Sequence, residues 1–140
     1  MTISLETISL AEAKKIIEAC EKKAQEIGQP MNIAVADVGG NLVAHARMDG
    51  AWIGSIDISI NKAFTAKCFD LSTEALAVES QSGKQFFGIQ VSNRGRIMTF
   101  AGGVPLVKNG KVVGSIGVSG GSGEQDSAVA VAGRSFFENN

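Results

Sequence analysis

Lys62 is the residue in this chain whose setting most invites chemistry. It lies in Ile58-Ser59-Ile60-Asn61-Lys62-Ala63-Phe64, a largely apolar stretch. An ammonium group partly withdrawn from water there has its charged form destabilised, and becomes an acid, a base or a carboxylate anchor. Held at the surface by a snorkelling stem, it does none of these. Arg47 and Asp49 stand just past the end of a strand-like run, where pockets commonly open. Glu124 opens the last helical segment after Gly120-Gly121. Arg47, Asp49, Lys62 and Glu124 together would form a mixed-charge pocket for a small carboxylated or hydroxylated compound. Gly120 and Gly121 would give it a wall of backbone N–H groups. Read as an enzyme, the chain would use Lys62 and Glu124 as its catalytic pair, in a cofactor-independent lyase or isomerase reaction on a catabolic metabolite.

Other chemistries find less support. With a single histidine, a zinc site would need cysteines or carboxylates gathered from distant parts of the chain. Asp37, Asp49, Asp57, Glu124 and Asp126 could hold a hard cation through oxygen. Asp37 reads rather as a turn residue, and Glu124 and Asp126 as acids at the positive end of a helix dipole. No metal site is therefore expected. The glycine cluster before the last helix matches neither phosphate-binding glycine pattern, and an acidic first turn would repel an anion. Close backbone packing explains it better. Cys20 and Cys68 both fall on predicted helices at core spacing and read as reduced, partly buried thiols. No Ser/His/Asp or Cys/His arrangement is supported.

The elements that must position these residues are legible in turn. Ser9-Leu10-Ala11-Glu12 has the form of a capping box. Ala13, Ile16, Ile17, Cys20, Ala24 and Ile27 then recur at helical spacing up to Gly28 and Pro30. Asn32–Val38 and Leu42–Met48 read as a hairpin around Gly39-Gly40. Ser55–Phe69 reads as a helix with Ile56, Ile60, Ala63, Phe64 and Cys68 as its apolar stripe, and Lys62 and Lys67 off it. Thr73–Val78 is a short helix, Lys84–Val91 a further helical turn, and Arg96–Phe100 a short strand. Val104–Lys108 and Lys111–Val118 flank Asn109-Gly110, a type I′ hairpin signal. A last helix runs from about Glu124 to Phe137, burying Val129, Ala132, Phe136 and Phe137. The order predicts one α+β domain over residues 1–140, with a five-stranded, mainly antiparallel sheet flanked by helices.

Bulk properties narrow the function classes. The chain has 140 residues, 44% hydrophobic and 19% charged, which describes a single globular domain with a real core. Thirteen basic against fourteen acidic side chains give a net charge of −1 and no electrostatic footprint for nucleic acid or an anionic membrane. No apolar run approaches the ~20 residues that span a bilayer. Met1–Glu6 lacks the basic-then-apolar order of a secretory signal, so a cytoplasmic location is expected.

Several blocks resemble a known family. They are Val35-Ala36-Asp37-Val38-Gly39-Gly40-Asn41-Leu42, Arg47-Met48-Asp49-Gly50-Ala51, Ser55 through Ala63, and Gly102-Gly103-Val104-Pro105 through Gly121 to Glu124-Gln125-Asp126. Their order and spacing are similar to those of the GlcG/HbpS-type heme-binding family, also seen as the C-terminal domain of PduO-type adenosyltransferases. The resemblance implies a profilin-like or roadblock-like fold, assembly into homo-oligomers from tetramer to octamer, and a small ligand: heme, or a related tetrapyrrole including a corrinoid. An accessory subunit of a catabolic enzyme is a further role the family context allows. Heme needs an axial ligand, and the chain has no tyrosine and one histidine. His45, mid-strand with Arg47 on its face, could ligate iron while Arg47 pairs with a propionate. Otherwise His45 is an ordinary histidine of a half-polar strand face.

Overall fold

The computed structural model describes residues 1–140. Its elements, in order, are α1 (Leu10–Ile27), β1 (Asn32–Ala36), β2 (Leu42–Arg47), α2 (Gly54–Phe69), α3 (Thr73–Glu79), a 3-10 turn (Ile89–Val91), α4 (Ser92–Gly95), β3 (Gly103–Lys108), β4 (Lys111–Ser119) and α5 (Gly123–Glu138). The strands form one antiparallel sheet in the order β2-β1-β4-β3. β2 and β3 are therefore its edges.

Local chemistry accounts for the boundaries. Ser9 Oγ accepts the Glu12 N–H at 3.1 Å and starts α1. Ser122 and Gln125 form a complete capping box at the start of α5. Asn109 and Gly110 have φ of 52° and 75°, the positive pair a type I′ turn requires. They bring Lys108 opposite Lys111.

Alternation along β1 divides the core. Ile33 and Val35 point to one face, where they join Ile16, Ile17, Cys20 and Ala24 of α1, Val129 and Ala130 of α5, and Ile116 and Val118 of β4. Ala34 and Ala36 point to the other face, against Ala63 of α2. The sheet is thus covered on both faces, thickly by α1 and α5 and closely by α2.

Two expectations need correction. The sheet has four strands, not five. Arg96–Phe100 is no strand, because Met98 N–H bonds to Thr65 Oγ1 of α2 at 3.0 Å instead of joining a ladder. Asn93 and Arg94, at φ of 52° and 58°, turn the chain just before it. The second correction concerns α2. Its inward side is small and polar, with Ser55, Ser59, Asn61, Lys62, Ala63, Thr65 and Ala66 buried. Ile56, Ile60 and Phe64 are only half-buried, and Cys68 is exposed. The cause lies in the sheet. Ala34, Ala36, Ser115 and Gly117 leave no room for branched side chains, so the helix backbone itself comes down. Ser115 Oγ donates to Ala63 O at 2.5 Å, and a Cβ on Gly117 would overlap Ser59 O and Ala63 N.

Candidate functional site

The close seating of α2 explains the fate of Lys62. Its side chain is fully buried, and Nζ donates to Val118 O at 2.8 Å and to Asp126 Oδ2 at 2.9 Å. Phe100 presents its ring face 4.9 Å from the ammonium. Two oxygen acceptors and one aromatic ring thus surround the ammonium. Val118 N–H donates to Gly102 O at 2.8 Å, while Val118 C=O takes its hydrogen from the lysine. At the point where β3 leaves the sheet, Lys62 occupies the place of the missing ladder donor. Gly102 makes room for it: at φ 126° its Cα passes so close that a Cβ would stand 2.7 Å from Lys62 Nζ.

Asp126 is the other half of this centre. Its Oδ1 accepts Gly121 N–H at 2.9 Å, while Oδ2 faces Lys62. The pair therefore clamps α2, the β3 entrance and the β4–α5 turn together. Burial pulls the Lys62 ammonium below the ordinary lysine range, and the hydrogen bond and charge of Asp126 restore part of that shift.

A second polar group lies at the β2 edge. His45 faces α2, opposite Ala34 of β1. Ser59 Oγ donates to Ile56 O at 2.9 Å and so accepts from His45 Nε2, 3.2 Å away. That chain places the proton on Nε2 of the neutral ring. Burial lowers the His45 pKa and favours the same neutral form. Nδ1 has no hydrogen-bond partner. Because Asn32 Oδ1 is the sole buried side-chain polar atom without one, Nδ1 opens to solvent. Two residues along, Arg47 lies opposite Asn32, and Asn32 lies opposite Ser119. Asn32 Nδ2 donates to Trp52 O at 2.9 Å and Ser119 Oγ to Ser55 Oγ at 3.0 Å, leaving Asn32 Oδ1 orphaned.

The sequence candidates thus divide into separate places. Arg47, Asp49 and Glu124 are exposed and form no ion pair. Gly120 and Gly121 pack against Pro30, Met31, Gln29 and Gln125. Lys62 faces Asp126, not Glu124. A recess of about 750 Å³ opens at the other end of the sheet beside Glu6, Glu12, Lys108 and Asn109, and none of these candidates lines it. No three His, Cys, Asp or Glu side chains converge as metal ligands. No helix is long and apolar enough to cross a membrane.

Asp126 and Asn32 are the polar groups whose partners the sequence did not disclose. Asp126 follows an N-cap serine by four residues and reads as a helix-dipole acid. Nothing local marks it as the counter-ion of a lysine 64 positions away. Asn32 reads simply as the first residue of a strand.

Comparison with known proteins gives one consistent result. The family model described as haem degrading protein HbpS-like matches residues 8–135. A 15.0 kDa protein from the dhaT–dhaS intergenic region of Citrobacter freundii is 48% identical over 124 residues, 89% of this chain and 87% of that one. The crystal structure of Klebsiella pneumoniae ORFY superposes with a TM-score of 0.97 at 39% identity, covering 99% and 96% of the two chains. The crystal structure of a PduOC:heme complex superposes with a TM-score of 0.88 at 29% identity, covering 92% and 94%.

Proposed function

This chain belongs to the HbpS-like family, and from that membership we infer that it binds heme or a related tetrapyrrole as a homo-oligomer. The observation that carries the reading is the likeness, over nearly the whole domain, to a PduOC domain solved as a heme complex.

The residues present fit the group. His45 is a neutral imidazole with Nε2 held by Ser59 and Nδ1 open; a metal-ligating histidine is likewise oriented by a hydrogen bond at its other ring nitrogen. His45 would supply the iron ligand. The flank of α2 that carries Ile56, Ile60 and Phe64, with Trp52 and Ile53 just before the helix, would meet the macrocycle. Bound iron would supply ligand-exchange and redox chemistry, and the chain's own part is to hold the ring and limit water at His45. Trp52 is 59% exposed, Ile53 76% and Phe87 67%. Trp52 and Ile53, adjacent in the chain and both exposed, are the apolar surface a partner subunit or the tetrapyrrole would cover.

Hemin titration tests this assignment. Saturable binding with a shifted Soret band, moved again in His45→Ala, is the expected result. An identical Soret band in His45→Ala would remove His45 as the ligand. Light scattering should give a mass several times 14.5 kDa, and a monomer at high concentration would remove the oligomer.

A further inference from the structure

One cation beside α2 is held at two points and has no counter-ion. The Arg96 guanidinium carbon stands over Phe64, 3.7 Å from the ring centroid. Its Nε donates to Asn61 Oδ1 at 2.9 Å, and Asn61 Nδ2 donates in turn to Asp57 Oδ2 at 3.0 Å. Asp57 thus orients the arginine through Asn61 without neutralising it. The chain's four ion pairs use Lys23, Lys62, Lys67 and Lys108, and none includes Arg96. Lys67, also on α2, is taken by Asp70 at 2.7 Å. Burial raises the Cys68 thiol and favours its neutral form, so it offers Arg96 no counter-charge. Both terminal amino groups of Arg96 have no partner.

Stacking and the Nε hydrogen bond remove most of the freedom that a surface arginine loses on binding. What remains is a preset fork, the geometry that takes a carboxylate through two parallel hydrogen bonds. Beside it runs apolar surface: Ile56, Ile60 and Phe64 stand at i, i+4 and i+8, all half-exposed. A ligand that satisfies both features is flat, apolar and edged by a carboxylate.

We propose that Arg96, stacked on Phe64, is the carboxylate anchor of the ligand site and seats a propionate of a tetrapyrrole whose ring covers Ile56, Ile60 and Phe64. This rests on the tetrapyrrole reading above, and it assigns to Arg96 the role that the sequence suggested for Arg47.

The test uses iron-free protoporphyrin IX, which reads the anchor without an axial ligand, together with its dimethyl ester and hemin. Wild-type protein should bind the free acid about tenfold or more tighter than the ester. Arg96→Ala should weaken the free acid to the level of the ester and leave the ester unchanged, and Arg96→Lys should fall between them. Equal binding of acid and ester by the wild type overturns the proposal. So does an Arg96→Ala variant that still prefers the acid, even where hemin binds well, and in that case the tetrapyrrole reading survives. Absence of binding by the wild type to any of the three overturns both readings. Thermal unfolding and light scattering accompany each variant. A loss of binding that appears only with a changed oligomer mass would make Arg96 a subunit contact and overturn the anchor.

Discussion

Lys62 Nζ stands 2.9 Å from Asp126 Oδ2 across the end of the sheet, and both side chains are almost fully buried. Their union joins the helix on one face to the helix on the other through the gap that opens where β3 departs. A buried pair of this kind is held by the cost of breaking it, since removing one partner strands the other charge in a dry interior.

Lys62→Met should therefore destabilise the fold by about 3–5 kcal/mol, read from urea midpoints at constant slope. Asp126→Asn keeps an acceptor for Gly121 N–H but leaves the ammonium unpaired, and its cost should be of similar size. The double variant should cost less than the sum. Full additivity would show that the two residues do not act as a pair.

Gly117→Ala should be among the most damaging single-methyl additions in the molecule. The new Cβ would press on the α2 backbone at Ser59 and Ala63, which has no side-chain freedom with which to yield. A loss of about 3 kcal/mol is expected, whereas Gly123→Ala, with only Ala101 at an ordinary 3.7 Å, should cost much less. Equal melting temperatures for the two variants would contradict the close seating of α2.

The packing that makes Gly117 necessary also explains what could be read in the chain and what could not. α1 was legible because its buried stripe is apolar at helical spacing, and β3–β4 because Asn109-Gly110 admits few other structures. α2 misled because its inward face is chosen by the sheet beneath it. Where alanines and glycine line that sheet, serine, threonine and a lysine fit and isoleucine does not. Periodicity counts apolar residues and cannot sense the room available opposite. Arg96–Phe100 misled for a related reason: its strand-like composition is overruled by one side chain, Thr65, which takes the Met98 N–H. The burial of Lys62 could be inferred from its apolar neighbours, but the identity of its counter-ion is a tertiary fact with no local trace.

Thiol chemistry should separate the two cysteines. Cys20 is buried against Gly133, and burial pushes its thiol up to about 12. Cys68 is exposed. A thiol reagent at neutral pH should label one cysteine in the native protein and two in urea, and Cys68→Ser should abolish the native label. Two native labels would contradict the α1–α5 packing.

His45 should give the protein an acid-side pH dependence. Burial holds its folded pKa below the ordinary value of 6.5, so the unfolded chain binds the proton more readily. Stability should fall as the pH drops through 6.5 toward the folded value and level off below it. His45→Gln should remove this component while leaving the rest of the acid profile intact. An unaltered profile in that variant would show that the ring is as open to water folded as unfolded.

The central claim is that this domain holds a tetrapyrrole, and an absorbance titration of hemin into the purified wild-type protein tests it most directly. A saturable Soret shift at micromolar protein, with a defined endpoint, is expected. A featureless, linear rise indistinguishable from hemin in buffer would contradict it.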